Sequence, residues 1–396
     1  MKQGWKIKTI GDVCKVIAGQ SPEGKFYNDN GNGLPFYQGK KEYGEKYIGE
    51  PTTWTTKVTK EAEANDILMS VRAPVGPINF ATQKICIGRG LAAIRATNLI
   101  DKEFLFNFLL KHESEIVGNT GAVFNSINKA QIEAIEIPLP PLPEQQRIVA
   151  ILDEAFAAIA KAKTNAEQNL KNAKELFESY LQVVFENGNE NWETKCLDEL
   201  GTITSSKRIY KSEYVKDGVP FYRTKEIKEL SNGKNITLEL FISRERYNDI
   251  KKSFGVPQIS DLLMSAVGTI GEIMVIENND EFYFKDGNIV WFKGFKSLDT
   301  NYLKFALTAF VEKIKSLAIG AAYSALTIEK LNKYQISFPK TIEEQQTIVQ
   351  KLNALSAETK KLEVIYNQKI NDLEELKKSV LQKAFSGELK TNAVAV

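Results

Sequence analysis

The sequence has one histidine, three cysteines and almost no net charge: 52 Lys+Arg stand against 50 Asp+Glu, a formal +2 over 396 residues. A lone His112 leaves histidine-based catalysis and His-rich metal sites without the residues to build them. Cys14, Cys86 and Cys196 form no CxxC pair, which speaks against a disulfide framework and a zinc knuckle alike. The charge balance speaks against a protein that coats nucleic acid with bulk positive charge, but it leaves room for local basic patches. No run of about 18 apolar residues occurs, so no membrane span is expected. Lys2, Lys6, Lys8 and Lys15 interrupt the opening stretch, which does not read as a secretory leader, and a cytoplasmic location is the expectation.

Catalytic signatures are missing too. A DNA amino-methyltransferase needs an Asn/Asp-Pro-Pro-aromatic loop for the flipped base and a glycine-rich turn for the methyl donor, and neither is present. Gly33-Leu34-Pro35-Phe36-Tyr37-Gln38-Gly39-Lys40 imitates a P-loop, but its spacing is one residue too long and Lys41 stands where Ser or Thr is required. Asp217 with Glu226 and Lys228 faintly resembles a nuclease carboxylate-lysine set; these read better as solvated charges. His112, beside Lys111 and Glu113, reads as an exposed helix position. No catalytic residue and no metal site are therefore assigned.

What the chain does have is a copy of itself. Glu144-Gln145-Gln146-Arg147-Ile148-Val149 returns as Glu344-Gln345-Gln346-Thr347-Ile348-Val349, an offset of 200 residues that holds through Phe185 and Phe385. Upstream the match is looser but ordered. Trp5 faces Trp192, Leu34–Tyr37 faces Val219–Tyr222, Asp66–Ser70 faces Asp261–Ser265, and Gly121–Asn125 faces Gly320–Ser324. The order is globular unit, long helix, globular unit, long helix. Strands are expected at Asp66–Val71, Ile85–Ile94, Glu272–Ile276 and Asn288–Phe292, and short helices at Lys102–Val117 and Asn301–Ser316. Mixed elements of this kind place each unit in the α/β or α+β class.

The first long helix shows a heptad seam over Ile148, Leu152, Ala155, Ile159, Ala162, Ala166, Ala173, Leu176 and Tyr180, interrupted at Asn169. The second runs Ile348, Leu352, Leu355, Leu362, Tyr366, Leu373, Leu376 and Val380, with breaks at Thr359 and Lys369. Each seam needs a partner and the other copy supplies one, either as an ordinary helical hairpin or as a spacer of roughly 60 Å between two units. Antiparallel helices would give the repeats a pseudo-two-fold axis, matching the backbone symmetry of duplex DNA.

Pro140-Pro141-Leu142-Pro143-Glu144-Gln145-Gln146, the long helix ending Ser179-Tyr180-Leu181-Gln182, and the second copy from Pro339 to Phe385 and Ser386-Gly387-Glu388-Leu389 resemble the specificity subunits of type I restriction-modification systems. So do Asp66–Arg72 with Gly76, and Gly121–Asn125 leading to Ile127. One departure is that the second copy has no Pro-Pro pair and carries one extra residue in Pro339–Glu344. The resemblance implies target-recognition domains at 1–143 and 188–343, a central spacer helix at 144–187, and a C-terminal helix with tail at 344–396. It further implies a non-catalytic subunit in which each domain reads half of a bipartite duplex DNA site. The helices would set the gap and dock two modification (methyltransferase) subunits, and restriction subunits would join the full complex. S-adenosylmethionine, ATP and Mg would belong to those partners, with no cofactor in this chain.

Base reading needs Arg or Lys for guanine edges and phosphates, and Asn or Gln for adenine edges. The candidates in the first unit are Lys25, Tyr27, Gln38, Lys40, Lys41, Arg72 and Arg89. In the second they are Lys207, Arg208, Tyr210, Lys211, Arg223, Lys225, Arg244 and Arg246. Asn125, Ser126, Tyr323 and Ser324 are secondary candidates. Gln38 and Arg223 follow a shared Pro-Phe-Tyr frame, so the two halves should prefer different bases. Two other readings stay open: a coiled-coil adaptor that reads no DNA, and a self-contained methyltransferase or nuclease, against which the missing motifs count. The small net charge implies weak DNA affinity for the lone chain.

Overall fold

A computed structural model describes residues 4–118, 126–186, 191–317 and 326–389. The chain divides into two units, Met1–Glu167 with Asn367–Val396, and Gln168–Tyr366.

In the first unit the chain order begins β1 (Lys6–Thr9), α1 (Ile10–Val13), β2 (Cys14–Ala18), β3 (Tyr27–Asn28), β4 (Leu34–Tyr37), β5 (Trp54–Thr55) and β6 (Glu61–Ala62). It continues β7 (Ile67–Ser70), β8 (Ile78–Phe80), β9 (Ile85–Ile87), β10 (Leu91–Ala96), α2 (Lys102–Gly118), α3 (Lys129–Glu133) and β11 (Glu136–Leu139). A long helix, α4 (Leu142–Glu186), leads into the second unit. There follow β12 (Glu193–Cys196), α5 (Leu197–Leu200), β13 (Thr202–Thr204), β14 (Tyr214–Val215), β15 (Val219–Tyr222), α6 (Thr224–Ser231) and β16 (Phe241–Ile242). Then come α7 (Arg244–Ser253), β17 (Leu262–Ser265), β18 (Ile273–Val275), β19 (Tyr283–Phe284), β20 (Ile289–Lys293), α8 (Thr300–Leu317), α9 (Ile328–Asn332) and β21 (Gln335–Phe338). The second long helix, α10 (Ile342–Ser386), closes the order.

Both units use one plan. A first sheet of four strands, β2-β10-β7-β8 or β13-β20-β17-β18, lies beside a second, β3-β5-β4-β9-β6 or β14-β16-β15-β19. The central strands are buried on both faces, which explains why they read as unbroken apolar runs. On β7, Ile67 and Met69 enter the core lined by α2 and the long helices, while Leu68 enters the core under the second sheet. On β17, Leu262 and Met264 divide from Leu263 in the same way. Each such side chain contributes about 1.5–3 kcal/mol by leaving water. The continuous strand expected over Ile85–Ile94 is instead two, β9 and β10, broken at Gly88–Gly90 where the chain crosses between the sheets.

The long helices enter each unit through the same lock. Gln145 is fully buried, and its Oε1 accepts the Asp101 N–H at 2.7 Å while its Nε2 donates to Pro140 O at 2.8 Å and Leu99 O at 3.3 Å. Gln345 repeats this with Asp299 N (2.7 Å), Pro339 O (2.9 Å) and Ser297 O (3.1 Å). The extra residue of the second copy is absorbed between Pro339 and the start of α10, and the lock survives it.

In the first unit, Ile148 and Leu152 of early α4 share a core with Leu381, Ala384 and Phe385 of late α10, and Lys163 pairs with Glu374 at 2.8 Å. In the second, Leu181 of late α4 shares a core with Val349 and Leu352 of early α10. The helices therefore run antiparallel within each unit. The expected seam needs correcting in phase: Leu176, Tyr180, Leu362 and Leu376 are exposed. Leu170 is half-buried where Asn169 suggested an interruption. Thr359 is buried, its Oγ1 donating to Leu355 O at 3.0 Å, so it continues the seam. The buried line accepts polar residues, and tracking leucines alone drifts off it. His112 is also corrected: it is half-buried, and its ring stacks on Phe108 at 6.2 Å. Among the described residues no helix is long and apolar enough to cross a membrane.

Candidate nucleic-acid interface

In the first unit, β4 and β9 run parallel, pairing Phe36 with Cys86 and Tyr37 with Ile87, so both chains leave the sheet at one edge. Gln38 leaves β4 there, and Gly88-Arg89-Gly90 leaves β9. The Gly88 N–H donates to Tyr37 O at 2.8 Å and the Gly90 N–H to Gln38 O at 3.2 Å. A Cβ on Gly88 would fall 2.9 Å from Gln38 Cα, and one on Gly90 2.5 Å from Gln38 O, so only glycine fits either place. Ser21 Oγ donates to Gln38 Oε1 at 2.8 Å and accepts the Arg89 N–H at 3.2 Å. The Gln38 side-chain NH2 donates to nothing among the described residues.

The edge extends further along the backbone. The Val71 N–H donates to Gly90 O at 2.9 Å, the Ile127 N–H to Val71 O at 3.0 Å, and Arg72 bridges Ser126. Gln38, Arg72, Arg89 and Ser126 are thus brought together although far apart in sequence. Lys40 and Lys41 lie on the short turn Lys40–Glu42 just after Gln38. All four cations are exposed, and none makes an ion pair among the described residues. Lys25 and Tyr27 stand differently. Lys25 pairs with Glu23 at 2.7 Å. Tyr27 stacks on Phe36 at 4.8 Å and donates its hydroxyl to Pro22 O, so its polar tip is already satisfied.

The second unit repeats the frame with other chemistry. β15 and β19 are parallel, and Arg223 leaves β15 where Gln38 leaves β4. The Lys285 N–H donates to Tyr222 O at 2.9 Å, and the Ala266 N–H to Asn288 O at 2.8 Å, matching the first unit's backbone links. Asp286 stands in the place of Arg89 and Val267 in the place of Arg72. Arg208 Nε donates to Asp286 at 2.7 Å, which raises the guanidinium's already high pKa. Arg223 is gripped by buried Glu226 at 2.6 Å and by Glu239 at 2.7 Å, and Lys225 joins Glu239 at 2.7 Å. Lys225 and Arg223 hold the Glu239 carboxyl down to about 2. Burial works to raise Glu226, but Arg223 outweighs it and leaves that carboxyl below its ordinary range. Arg244 pairs with Glu281, and Arg246 with Glu213 at 2.8 Å. Lys207 lies over the Phe254 ring at 5.6 Å. Lys211 has no ion pair among the described residues, and Tyr210 is well exposed.

Arg208, Arg223, Lys225, Arg244 and Arg246 are therefore each ion-paired within the chain. The partner carboxylates were not foreseen, although the Arg223–Glu226 spacing at i,i+3 is a helix-start pattern that signals one of them. Glu226 being spent on Arg223, it forms no nuclease-like set with exposed Asp217. Cys196, Asp198 and Glu199 cluster at the start of α5, where Glu199 accepts the Cys196 N–H at 2.7 Å as a helix cap. Asn125, Tyr323 and Ser324 lie outside the described residues.

Comparison with known proteins was made against this geometry. A family model described as the type I restriction modification DNA specificity domain matches residues 2–170 and again 189–375. A putative type I restriction enzyme MjaX specificity subunit from Methanocaldococcus jannaschii is 42% identical over 177 residues, 43% of this chain and 41% of that protein, so this chain matches less than half of that relative's length. The type I restriction enzyme MjaIX specificity subunit of the same organism is 26% identical over 98% of this chain and 94% of its own. Among solved structures, a chain described under "Structural basis underlying complex assembly and conformational transition of the type I R-M system" superposes with a TM-score of 0.79. It shares 19% identity and covers 98% of this chain and 99% of that one, a likeness of fold.

Proposed function

The chain belongs to the type I restriction modification DNA specificity family, and from that premise we propose that its two units read the unlike halves of one bipartite duplex site. In this reading α4 and α10 set the gap between the halves and seat two methyltransferase subunits, and restriction subunits join the larger complex. The chain itself performs no catalysis. S-adenosylmethionine, ATP and Mg act on the partners.

One observation carries the reading: a repeated frame presents different recognition chemistry at the same place. Gln38 and Arg223 leave matching parallel strands. A glutamine amide suits adenine, and a guanidinium suits guanine. The exposed Lys40, Lys41, Arg72 and Arg89 suit phosphate contacts that position the duplex.

The test is to reconstitute the chain with its methyltransferase subunit and select bound duplexes from a random pool. Two unlike half-sites at one fixed gap are expected, and removing one heptad from both long helices shortens that gap. A stable protein complex that enriches no sequence would favour the alternative, a coiled-coil adaptor that reads no DNA.

A further inference from the structure

We propose that Glu239 gates the base-reading edge of Arg223, with Glu226 acting as the positioning residue behind it; this rests on the reading that Arg223 meets DNA. A guanidinium offers five N–H bonds, one on Nε and two on each terminal nitrogen. Glu226 takes the side edge: Nε donates to its Oε2 at 3.2 Å and Nη2 to its Oε1 at 2.6 Å. The Glu226 side chain is only 3% exposed, and its Oε2 also accepts the Arg223 backbone N–H at 2.7 Å, closing the first turn of α6. That grip is part of the fold and is not available for exchange.

The other hydrogen on Nη2 lies on the Nη1 side, and it goes to Glu239 Oε2 at 2.7 Å. Nη1 donates to nothing among the described residues. The end-on pair, Nη1 with Nη2, is therefore the only fork left for guanine O6 and N7, and Glu239 holds half of it. Glu239 is solvent-exposed and lies just before β16, so its side chain can swing aside without unpacking the core. Its Oε1 also accepts from Lys225 Nζ at 2.7 Å, so it keeps a cation when Arg223 turns away. Exposed ion pairs are weak and a bidentate guanine contact is stronger. Guanine therefore binds Arg223 at the cost of its pair with Glu239, whereas a base presenting a donor there leaves the gate shut and is itself accepted by the carboxylate, so Glu239 restrains the preference for guanine. Among the described residues Gln38 meets no such carboxylate, so the first unit is read as ungated.

The experiment uses the assembled complex with native chain, Glu239→Gln or Arg223→Lys, on the enriched duplex and on duplexes altered only in the half read by the second unit. Glu239→Gln is expected to tighten binding to the enriched duplex by roughly two- to fivefold and to leave the altered duplexes unchanged or weaker, widening discrimination in that half alone. Arg223→Lys keeps the charge on Glu226 but loses the planar fork, and is expected to lose discrimination there. Unchanged or narrowed discrimination in Glu239→Gln, with discrimination lost in Arg223→Lys, would show Arg223 reading without a gate and overturn the proposal. Native discrimination in Arg223→Lys would remove Arg223 from base reading, and the gate would fall with it.

Discussion

The two units share a backbone and differ in how they treat charge. In the first, Lys40, Lys41, Arg72 and Arg89 stand exposed at the strand edge and make no ion pair among the described residues. In the second, Val267 and Asp286 replace two of those cations, and Arg208, Arg223 and Lys225 are held by Asp286, Glu226 and Glu239. The contrast reaches the interior. Asp66 and Asp261 occupy equivalent places at the start of β7 and β17, each capping a turn. Asp66 is answered by Arg95 in a bidentate pair at 2.7 and 2.8 Å, whereas Asp261 accepts the Trp291 Nε1–H at 2.8 Å, with the Lys293 charge acting at longer range. Duplication thus preserved the frame while each copy settled its charges separately. The difference teaches that backbone position and reading chemistry are set by different residues and can change independently.

The largest effect expected tests the sameness of the frames. Gln145→Leu and Gln345→Leu each strand a buried N–H and two carbonyls, so each should cost about 3 kcal/mol in its own unit. Hydrogen exchange resolved by unit measures this; a large loss in one unit only would break the equivalence. Next comes the interior asymmetry. Asp66→Asn gives up a bidentate charged pair and should cost about 2 kcal/mol. A neutral result there would mean that Arg95 contributes no more than Trp291 does.

At the surface, Arg72→Val with Arg89→Asp copies the second unit's residues into the first. All duplexes should then bind roughly tenfold more weakly, with the salt slope reduced by about 2. An altered sequence preference in place of a uniform loss would make one of these arginines a base reader. The smallest effect concerns pH. Burial raises the Asp261 carboxyl above its ordinary 3.8. Stability from this site is therefore full below that ordinary value and is lost as pH rises through the raised one. Asp261→Asn removes the dependence, so native stability relative to the variant should fall from pH 3 to neutrality. A rise over that range would contradict the sign.

The repeat, the long helices and the buried strands were legible because each rests on local periodicity or on copied sequence. Ile67–Ser70 and Leu262–Ser265 announce themselves as apolar runs, and the helix starts follow from Pro143 and the Glu-Gln-Gln pairs. The strand break at Gly88–Gly90 was readable in hindsight from its two glycines. What sequence does not carry is pairing over distance. Arg208 meets Asp286 after 78 residues, and Gly90 is linked to Val71 and so to Arg72 only through the sheet. The basic residues were visible, but their neutralisation required the fold. The seam misread at Leu176 and Leu362 has a similar cause, since burial is decided by helix phase and Thr359 keeps that phase without being apolar.

The most direct test of one frame with two reading chemistries is Gln38→Arg, which gives the first unit the second unit's side chain at an exposed position. Duplex selection with the assembled complex should return the native motif changed toward guanine at one or two positions of one half. The gap and the other half should be untouched. A motif that does not change, or that changes in the half read by the second unit, would contradict the account.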